Sequence, residues 1–255
     1  MRLVSLCPSL TELLHDLGAT NEVVGRTRFC IHPAHWVGTI EKVGGTKNPK
    51  IARIVELAPD LVVMNEEENR REDAESLLAA GIAVHTSMPR TAWDTAAMVR
   101  SIGEAIGRSS ESERIARDIE WRAERVQRDA AGLRAVTYAY LIWREPWMTV
   151  NDDTFVSAML QLAGGVNVFG SNAVRYPAFT LDSLRALNPD VVLLASEPFP
   201  FAPAHADEVV AATGFERARC IRVDGELLSW HGSRTSAGID YAERLLNECR
   251  ALGAK

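Results

Sequence analysis

An eight-residue pattern occurs twice in the chain, and this repeat constrains the fold more than any other feature. Residues 57–64 read LAPDLVVM, and residues 187–194, 130 positions later, read LNPDVVLL. In both copies a proline and an aspartate precede an uninterrupted apolar run, which is typical of a buried strand in a parallel sheet. The stretch 15–25 likewise has a counterpart at 161–170. The repeat therefore predicts two similar lobes built from strands and helices.

Strand and helix signals alternate through both halves of the chain. Residues 3–6 predict a buried strand, and Ser9 with Glu12 predicts a capping box at the start of the next helix. Asn48 followed by Pro49 predicts the beginning of another helix. In the second half, residues 135–142, 166–169 and 191–195 predict strands, whereas 154–162 and 181–187 predict helices. This alternation is typical of an α/β fold with mostly parallel sheets.

A long amphipathic segment separates the two halves. From Ser110 to Leu133 apolar residues recur at helical spacing, and no helix-breaking residue occurs before Gly132. A helix of this length spans roughly 30 Å. We therefore predict an N-terminal β/α lobe at 1–108, a rigid interlobe helix at 109–133 and a C-terminal β/α lobe at 134–255. A ligand cleft is expected between the lobes, where the parallel strands end.

Charge and hydropathy exclude two classes of protein. Lys and Arg total 28 against 34 Asp and Glu, and this net charge of −6 argues against a nucleic-acid-binding protein held by phosphate contacts. No apolar run approaches the about 20 residues that span a bilayer. The N-terminal apolar run is also too short for a secretory signal. We therefore expect a protein that does not span the membrane, and a cytoplasmic one if Met1 is the true start.

Sequence motifs argue against an enzyme. The chain contains no GxSxG nucleophile elbow, no phosphate-binding loop of the GxxxxGK type and no GxGxxG after its first strand. The four cysteines lie far apart and form no CxxC pair, which excludes a cysteine-rich zinc site.

Six motifs, taken in their order along the chain, resemble the cobalamin and iron-siderophore class of ABC-transporter substrate-binding proteins, the helical-backbone metal receptor family. They are RLVSLCPSLTELL, VGGTKNP and LAPDLVV, starting at positions 2, 43 and 57, and TVNDDTF, AGGVNVF and LNPDVVLLASEP, starting at positions 149, 163 and 187. The resemblance implies a non-catalytic protein that captures cobalamin, haem or a ferric siderophore for an ABC permease. It implies no cofactor of its own, a periplasmic or cell-surface location and, we expect, a monomer.

The resemblance also implies how the protein meets its permease. In such proteins an exposed glutamate on each lobe docks against arginines of the permease, and Glu197 matches the second-lobe position. For the first lobe, Glu67 follows from the internal repeat and Glu72 from the family pattern, so both stay open. The alternative for these acids is that they stabilise the N-termini of helices.

Charged and aromatic side chains in the predicted loops are the candidates for ligand contact. Cationic groups donate strong hydrogen bonds to carboxylates or catecholates, and flat aromatic rings suit a corrin ring or a catechol chelate. The alternative for each aromatic side chain is ordinary core packing. The predicted ligand-binding residues are Ser9, Arg26, Arg28, Lys47, Trp143, Arg144, Trp147, Arg175, Tyr176, Phe199, Trp230, His231 and Arg234.

Direct metal binding is a further hypothesis. Cys30, His32 and His35 place a sulfur and two imidazoles in one segment, and these are metal-ligating groups. Two other functions also stay open. One is a cytoplasmic protein that binds or senses a metal chelate without a permease. The other is a tetrapyrrole metal chelatase, in which His32 or His231 takes up protons.

Overall fold

The computed structural model describes residues 1–252, which form two α/β units. Unit 1 comprises Met1–Pro89, Trp93–Asp118 and the short segment His231–Arg234. Unit 2 comprises Arg90–Ala92, Ile119–Trp230 and, within the described residues, 235–252. Each unit has its own sheet of mostly parallel strands, which confirms the predicted bilobal α/β class.

Unit 1 is built around a five-stranded sheet in which every pairing is parallel. Its strands are β1 (Leu3–Ser5), β2 (Val23–Arg26), β3 (Glu41–Lys42), β4 (Leu61–Asn65) and β5 (Ala83–Ser87), in the spatial order β3-β2-β1-β4-β5. Its helices are α1 (Pro8–Asp16), α2 (Ala34–Val37), α3 (Ile51–Glu56), α4 (Arg71–Ala79) and α5 (Ala92–Ala105). Because all five strands run the same way, the loops that follow them lie at one edge of the sheet.

Helix α6 (Ser109–Ala130) runs from unit 1 into unit 2 and confirms the long helix that the periodicity predicts. The strands of unit 2 are β6 (Val136–Trp143), β7 (Met148–Thr149), β8 (Gly165–Asn167), β9 (Val191–Ala195) and β10 (Cys220–Val223). Its helices are α7 (Phe155–Leu162), α8 (Leu181–Leu187), α9 (Pro203–Thr213), α10 (Gly225–Ser229) and α11 (Thr235–Leu252). Strand β6 pairs in parallel with β8 and β9, β9 pairs in parallel with β10, and β7 is antiparallel to β6.

The internal repeat is visible in the backbone of both units. Strands β4 and β9 lie 130 positions apart, and all five residues of each are buried. The residues that lead into them, Ala58 and Asn188, both adopt a left-handed conformation with φ of 44°. Asp60 then accepts a hydrogen bond from the N–H of Arg2 at 2.6 Å, and Asp190 accepts one from the N–H of Thr137 at 2.8 Å. The same sequence pattern therefore makes the same helix-to-strand turn twice.

Two predicted helix starts are wrong. Helix α1 begins at Pro8 and has no side-chain cap, because Ser9 is buried and Glu12 pairs with Arg234 instead of closing a capping box. Helix α3 begins at Ile51 rather than at Pro49. Gly44 and Pro49 form an antiparallel β-bridge, so the chain reverses direction between them before the helix begins.

Membrane spans are absent from the part of the chain that is described. Within residues 1–252, no helix is both long enough and apolar enough to cross a bilayer.

Candidate ligand-binding site

Four aromatic side chains of unit 2 form a continuous array at the carboxyl ends of β6 and β9. Trp143 ends β6 and Phe199 follows β9, and because these strands are parallel, both residues lie at the same edge of the sheet. The ring centroids of Trp143 and Phe199 are 5.7 Å apart, and those of Phe199 and Phe201 are 4.8 Å apart. Trp147 stacks on Phe201 at 5.9 Å, with 6° between the ring planes. We call these four residues the aromatic array.

The array has a buried side and an exposed side. Phe201 is fully enclosed in the core of unit 2, whereas Trp143 keeps 43% of its surface exposed. Stacked and edge-to-face ring pairs at these distances favour a fixed arrangement of the rings. The array therefore offers a preformed apolar surface to a flat ligand.

The predicted cations of unit 2 are held by carboxylates. Arg144 donates two hydrogen bonds to Glu208, at 2.8 and 3.1 Å, and its guanidinium lies 5.9 Å from the ring centroid of Trp147. Arg175 pairs with Asp153 at 3.4 Å and lies 5.9 Å from the ring centroid of Tyr176. These bonds orient both guanidinium groups, and each arginine is paired with a neighbouring carboxylate.

In unit 1, three predicted or neighbouring polar residues meet between β1 and β4. This is the point at which the strand order reverses, and ligands of open α/β sheets bind at such points. His231 Nε2 lies 3.4 Å from the hydroxyl of Ser9, which follows β1. The same nitrogen lies 3.2 Å from the amide Nδ2 of Asn65, which ends β4. The structure thus brings Ser9 and His231 together. The sequence predicted both as ligand-binding residues but did not predict their contact.

Asn65 and Asn69 are the residues that sequence reasoning missed. Both are buried, and they flank the acidic loop, defined here as Glu66–Glu68. Asn69 Nδ2 donates to the carbonyls of Leu6 and Thr46 at 2.9 and 3.0 Å, and its Oδ1 accepts from the N–H of Asn65. Two asparagines four positions apart at the end of a predicted buried strand are the signal that could have identified them.

Burial keeps the imidazole of His231 neutral. The side chain is 8% exposed, and desolvation lowers the pKa of His231 to about 4. Next to it, Arg234 forms two hydrogen bonds of 2.7 Å with Glu12, and Ser233 donates to Asp16. Segment 231–234 is therefore fixed to helix α1 by several polar contacts.

The predicted cations of unit 1 have different environments. Arg26 is 4% exposed and donates to the carbonyls of Val37, Thr27 and Cys30, so it stabilises the loop from inside. Arg28 is exposed, and its guanidinium lies 4.8 Å from the ring centroid of Phe29. Lys47 is exposed and donates to the carbonyl of Glu67 at 2.6 Å. Of these three predicted cations, Arg28 and Lys47 are therefore the exposed ones.

The structure does not bring Cys30, His32 and His35 together as a metal-ligating set. Among residues 1–252, no group of three or more His, Cys, Asp or Glu side chains is placed to hold a metal ion. The sulfur of Cys30 is buried within hydrogen-bond distance of Thr11 and Thr27, at 2.9 and 3.1 Å, and burial raises the pKa of its thiol. The ring of His35 packs against His15, with centroids 5.7 Å apart.

The three predicted docking glutamates differ in their contacts. Glu197 is half-buried, and its Oε1 accepts hydrogen bonds from Trp230 Nε1 at 2.6 Å and from Ser229 at 3.0 Å. This contact also places the predicted ligand residue Trp230, which is buried. Glu67 is half-buried in the acidic loop, whereas Glu72 is exposed in the first turn of α4.

Fold and site together define a bilobal α/β binding protein with an aromatic surface at the carboxyl ends of its strands. A family model described as "Periplasmic binding protein" matches residues 3–219. The chain belongs to this periplasmic binding protein family.

Individual relatives agree with this assignment. The chain is 26% identical to a vitamin B12-binding protein of Vibrio parahaemolyticus, over 75% of this chain and 69% of that protein. Its fold is similar to that of the vitamin B12-binding protein BtuF of Vibrio cholerae, with a TM-score of 0.84, 19% identity and coverage of 98% and 97% of the two chains. It is also similar to the haem-binding protein RhuT of Roseiflexus, with a TM-score of 0.85, 21% identity and coverage of 98% of each chain.

Membership in this family confirms the prediction of a non-catalytic solute-binding protein. Its members are binding proteins of ABC transporters rather than enzymes. This membership argues against the chelatase alternative.

Proposed function

We propose that this protein captures a metal chelate with a flat apolar face and presents it to an ABC permease. Cobalamin and haem are favoured over a ferric siderophore as the chelate. The aromatic array is the observation that carries the proposal. Its rings are mutually fixed, and exposed Trp143 extends from a buried base formed by Phe201. An aromatic side chain contributes a large contact area, and face or edge contacts with another ring system add to it.

Two further features support this ligand class. The relatives named above are a vitamin B12-binding protein and haem- and vitamin B12-binding structures. Arg144, whose guanidinium lies 5.9 Å from the ring centroid of Trp147 in the array, is a cation that can donate to the carboxylates or phosphate of such a ligand. Apolar rings supply most of the contact area, and a few charged donors fix orientation.

Tryptophan fluorescence tests the ligand class directly. We expect saturable quenching by cyanocobalamin or hemin, because either chromophore would lie against Trp143. The purified protein is titrated with cyanocobalamin, with hemin and with ferric siderophores of the catecholate and hydroxamate types. Saturation by a siderophore alone would replace the corrinoid and haem assignment, and no saturation by any of the compounds would contradict the proposal as a whole.

Permease docking is proposed through Glu72 on unit 1 and Glu197 on unit 2, with Glu67 as the second candidate on unit 1. We expect Glu72→Gln and Glu197→Gln each to leave chelate affinity unchanged and to lower uptake about tenfold. Each substitution removes the negative charge that would pair with an arginine of the permease. Glutamine at 197 keeps an oxygen for the bonds from Trp230 and Ser229.

Uptake is measured in the native host after deletion of its own copy, with each variant supplied in trans. Glu75→Gln, on the same helix as Glu72, is the matched control and should leave uptake unchanged. If Glu72→Gln is silent and Glu67→Gln is impaired, the docking residue of unit 1 is Glu67. Loss of chelate affinity in Glu197→Gln would assign Glu197 to the ligand site instead.

We also propose that the protein acts as a monomer on the outer side of the cytoplasmic membrane, the location that the family description gives. Light scattering of the purified protein tests the first statement. Protease accessibility in osmotically shocked cells tests the second, and full protection there would favour the cytoplasmic binding or sensing alternative.

A further inference from the structure

We propose that His231 is a positioning residue that holds the acidic loop Glu66–Glu68 in place through the side chain of Asn65. Asn65 lies between His231 and the acidic loop. Its Oδ1 accepts hydrogen bonds from the N–H groups of Glu67 and Glu68, at 3.0 and 3.1 Å. Its Nδ2 donates to the carbonyl of Ser87 at 3.0 Å and faces His231 Nε2 at 3.2 Å.

These contacts determine the orientation of the Asn65 amide. Backbone N–H groups only donate, so the Asn65 atom that accepts the hydrogen bonds from Glu67 and Glu68 is the amide oxygen. The carbonyl of Ser87 only accepts, so the atom beside it is the amide nitrogen. Both assignments agree, and the nitrogen of Asn65 therefore points at His231.

The tautomer of His231 follows from the orientation of Asn65. An amide nitrogen donates and does not accept, so His231 Nε2 is the acceptor and its ring proton lies on Nδ1. Ser9, 3.4 Å away, is placed to donate to the same nitrogen. The lone pair of Nε2 is thus directed into the protein, and Nε2 of His231 does not serve as an axial ligand to the metal of a bound chelate in this conformation.

The acidic loop is held from three sides. Lys47 donates a hydrogen bond to the carbonyl of Glu67. At the end of the loop, Asn69 donates to the carbonyls of Leu6 and Thr46. Oδ1 of Asn65 accepts hydrogen bonds from the N–H groups of Glu67 and Glu68. The side chain of Asn65 is itself held by the carbonyl of Ser87 and by His231, which lies 166 positions away in sequence. His231 therefore contributes, through Asn65, to the conformation of the loop that carries Glu67. A role of this loop in permease docking rests on the proposed function, whereas the positioning of the loop by His231 does not.

Amide hydrogen exchange on the protein alone tests the positioning. We expect His231→Leu, which lacks an acceptor, to speed exchange at the Glu67 and Glu68 amides about tenfold, the effect of one lost hydrogen bond. His231→Gln retains an acceptor oxygen, so exchange there should stay within about threefold of the wild type. Amides of β4 and β9 serve as controls for global destabilisation. Equal acceleration in both variants, or none in either, would overturn the proposal.

A second variant keeps the proposal testable if His231→Leu does not fold. Asn65→Asp preserves an acceptor for the Glu67 and Glu68 amides and removes the donor to His231. The ¹⁵N shifts of His231 should then show a proton arriving on Nε2, whereas in the wild type they show Nε2 unprotonated. A protonated Nε2 in the wild type, or shifts that do not respond to Asn65→Asp, would show that Asn65 does not donate to His231.

Discussion

Replacing Trp143 by alanine is expected to weaken binding of the tightest chelate, cyanocobalamin or hemin, about thirtyfold. Trp143 is the exposed end of the aromatic array, and truncating such an anchor costs about 2 kcal/mol, which corresponds to that factor. The loss of folding stability should be small, because 43% of the side chain is already exposed to solvent. Titration calorimetry is the measurement, because its signal does not depend on the fluorescence of Trp143.

A matched control separates the array from aromatic surface in general. Trp121, on helix α6, is 59% exposed and lies outside the array. Trp121→Ala should leave chelate affinity within about twofold of the wild type, an energy change below 1 kcal/mol. Trp143→Phe retains a flat ring and should recover most of the affinity. Equal losses in Trp121→Ala and Trp143→Ala, or no loss in either, would move the ligand away from the array.

Acid is expected to destabilise the protein through His231, by about 3 kcal/mol between pH 6.5 and pH 4. Burial lowers the pKa of His231 from 6.5 in the unfolded chain to about 4 in the folded one. Above pH 6.5 the imidazole is neutral in both states and contributes no pH dependence. Below pH 6.5 the unfolded chain takes up a proton that the folded protein does not, so stability falls until the folded pKa is reached.

Urea unfolding at pH 7, 6, 5 and 4 measures this loss, and His231→Gln is the control. Glutamine does not titrate, so the stability difference between the two proteins should change with pH in the direction that favours the variant under acid. Carboxylates such as Glu113, whose pKa is lowered to about 2 by hydrogen bonds from Arg100 and Arg117, are common to both proteins and cancel. Parallel stability curves for the two proteins would contradict the expected titration of His231.

Local sequence signals predicted the regular elements well where apolar patterning was strong. Strand β9 and helix α8 have the predicted bounds, and α6 differs from its prediction by only a few residues. Two-residue strand β7 was not predicted, because a strand of that length carries no periodic signal. The capping box at Ser9 failed because Glu12 has a better partner in Arg234, which is 222 positions away.

Candidate site residues were predicted by type but not by environment. Trp143 and Phe199 do meet, as residues that follow two neighbouring parallel strands. Arg26 and Arg28 are two positions apart in sequence, yet one is buried and donates to carbonyls and the other is exposed. Residue type alone does not distinguish a guanidinium that stabilises a loop from one that faces solvent, because the difference lies in the carbonyls that surround it.

By itself the sequence determined the two-lobed α/β architecture, because the repeated helix-to-strand pattern acts through local backbone geometry and the burial of apolar strands. It also determined the family, through the order of motifs along the chain. Only the tertiary structure decided the contacts of Asn65, His231, Glu12 and Arg234. Hydrogen bonds and ion pairs between residues more than 150 positions apart depend on how the elements pack, and no local pattern encodes their partners.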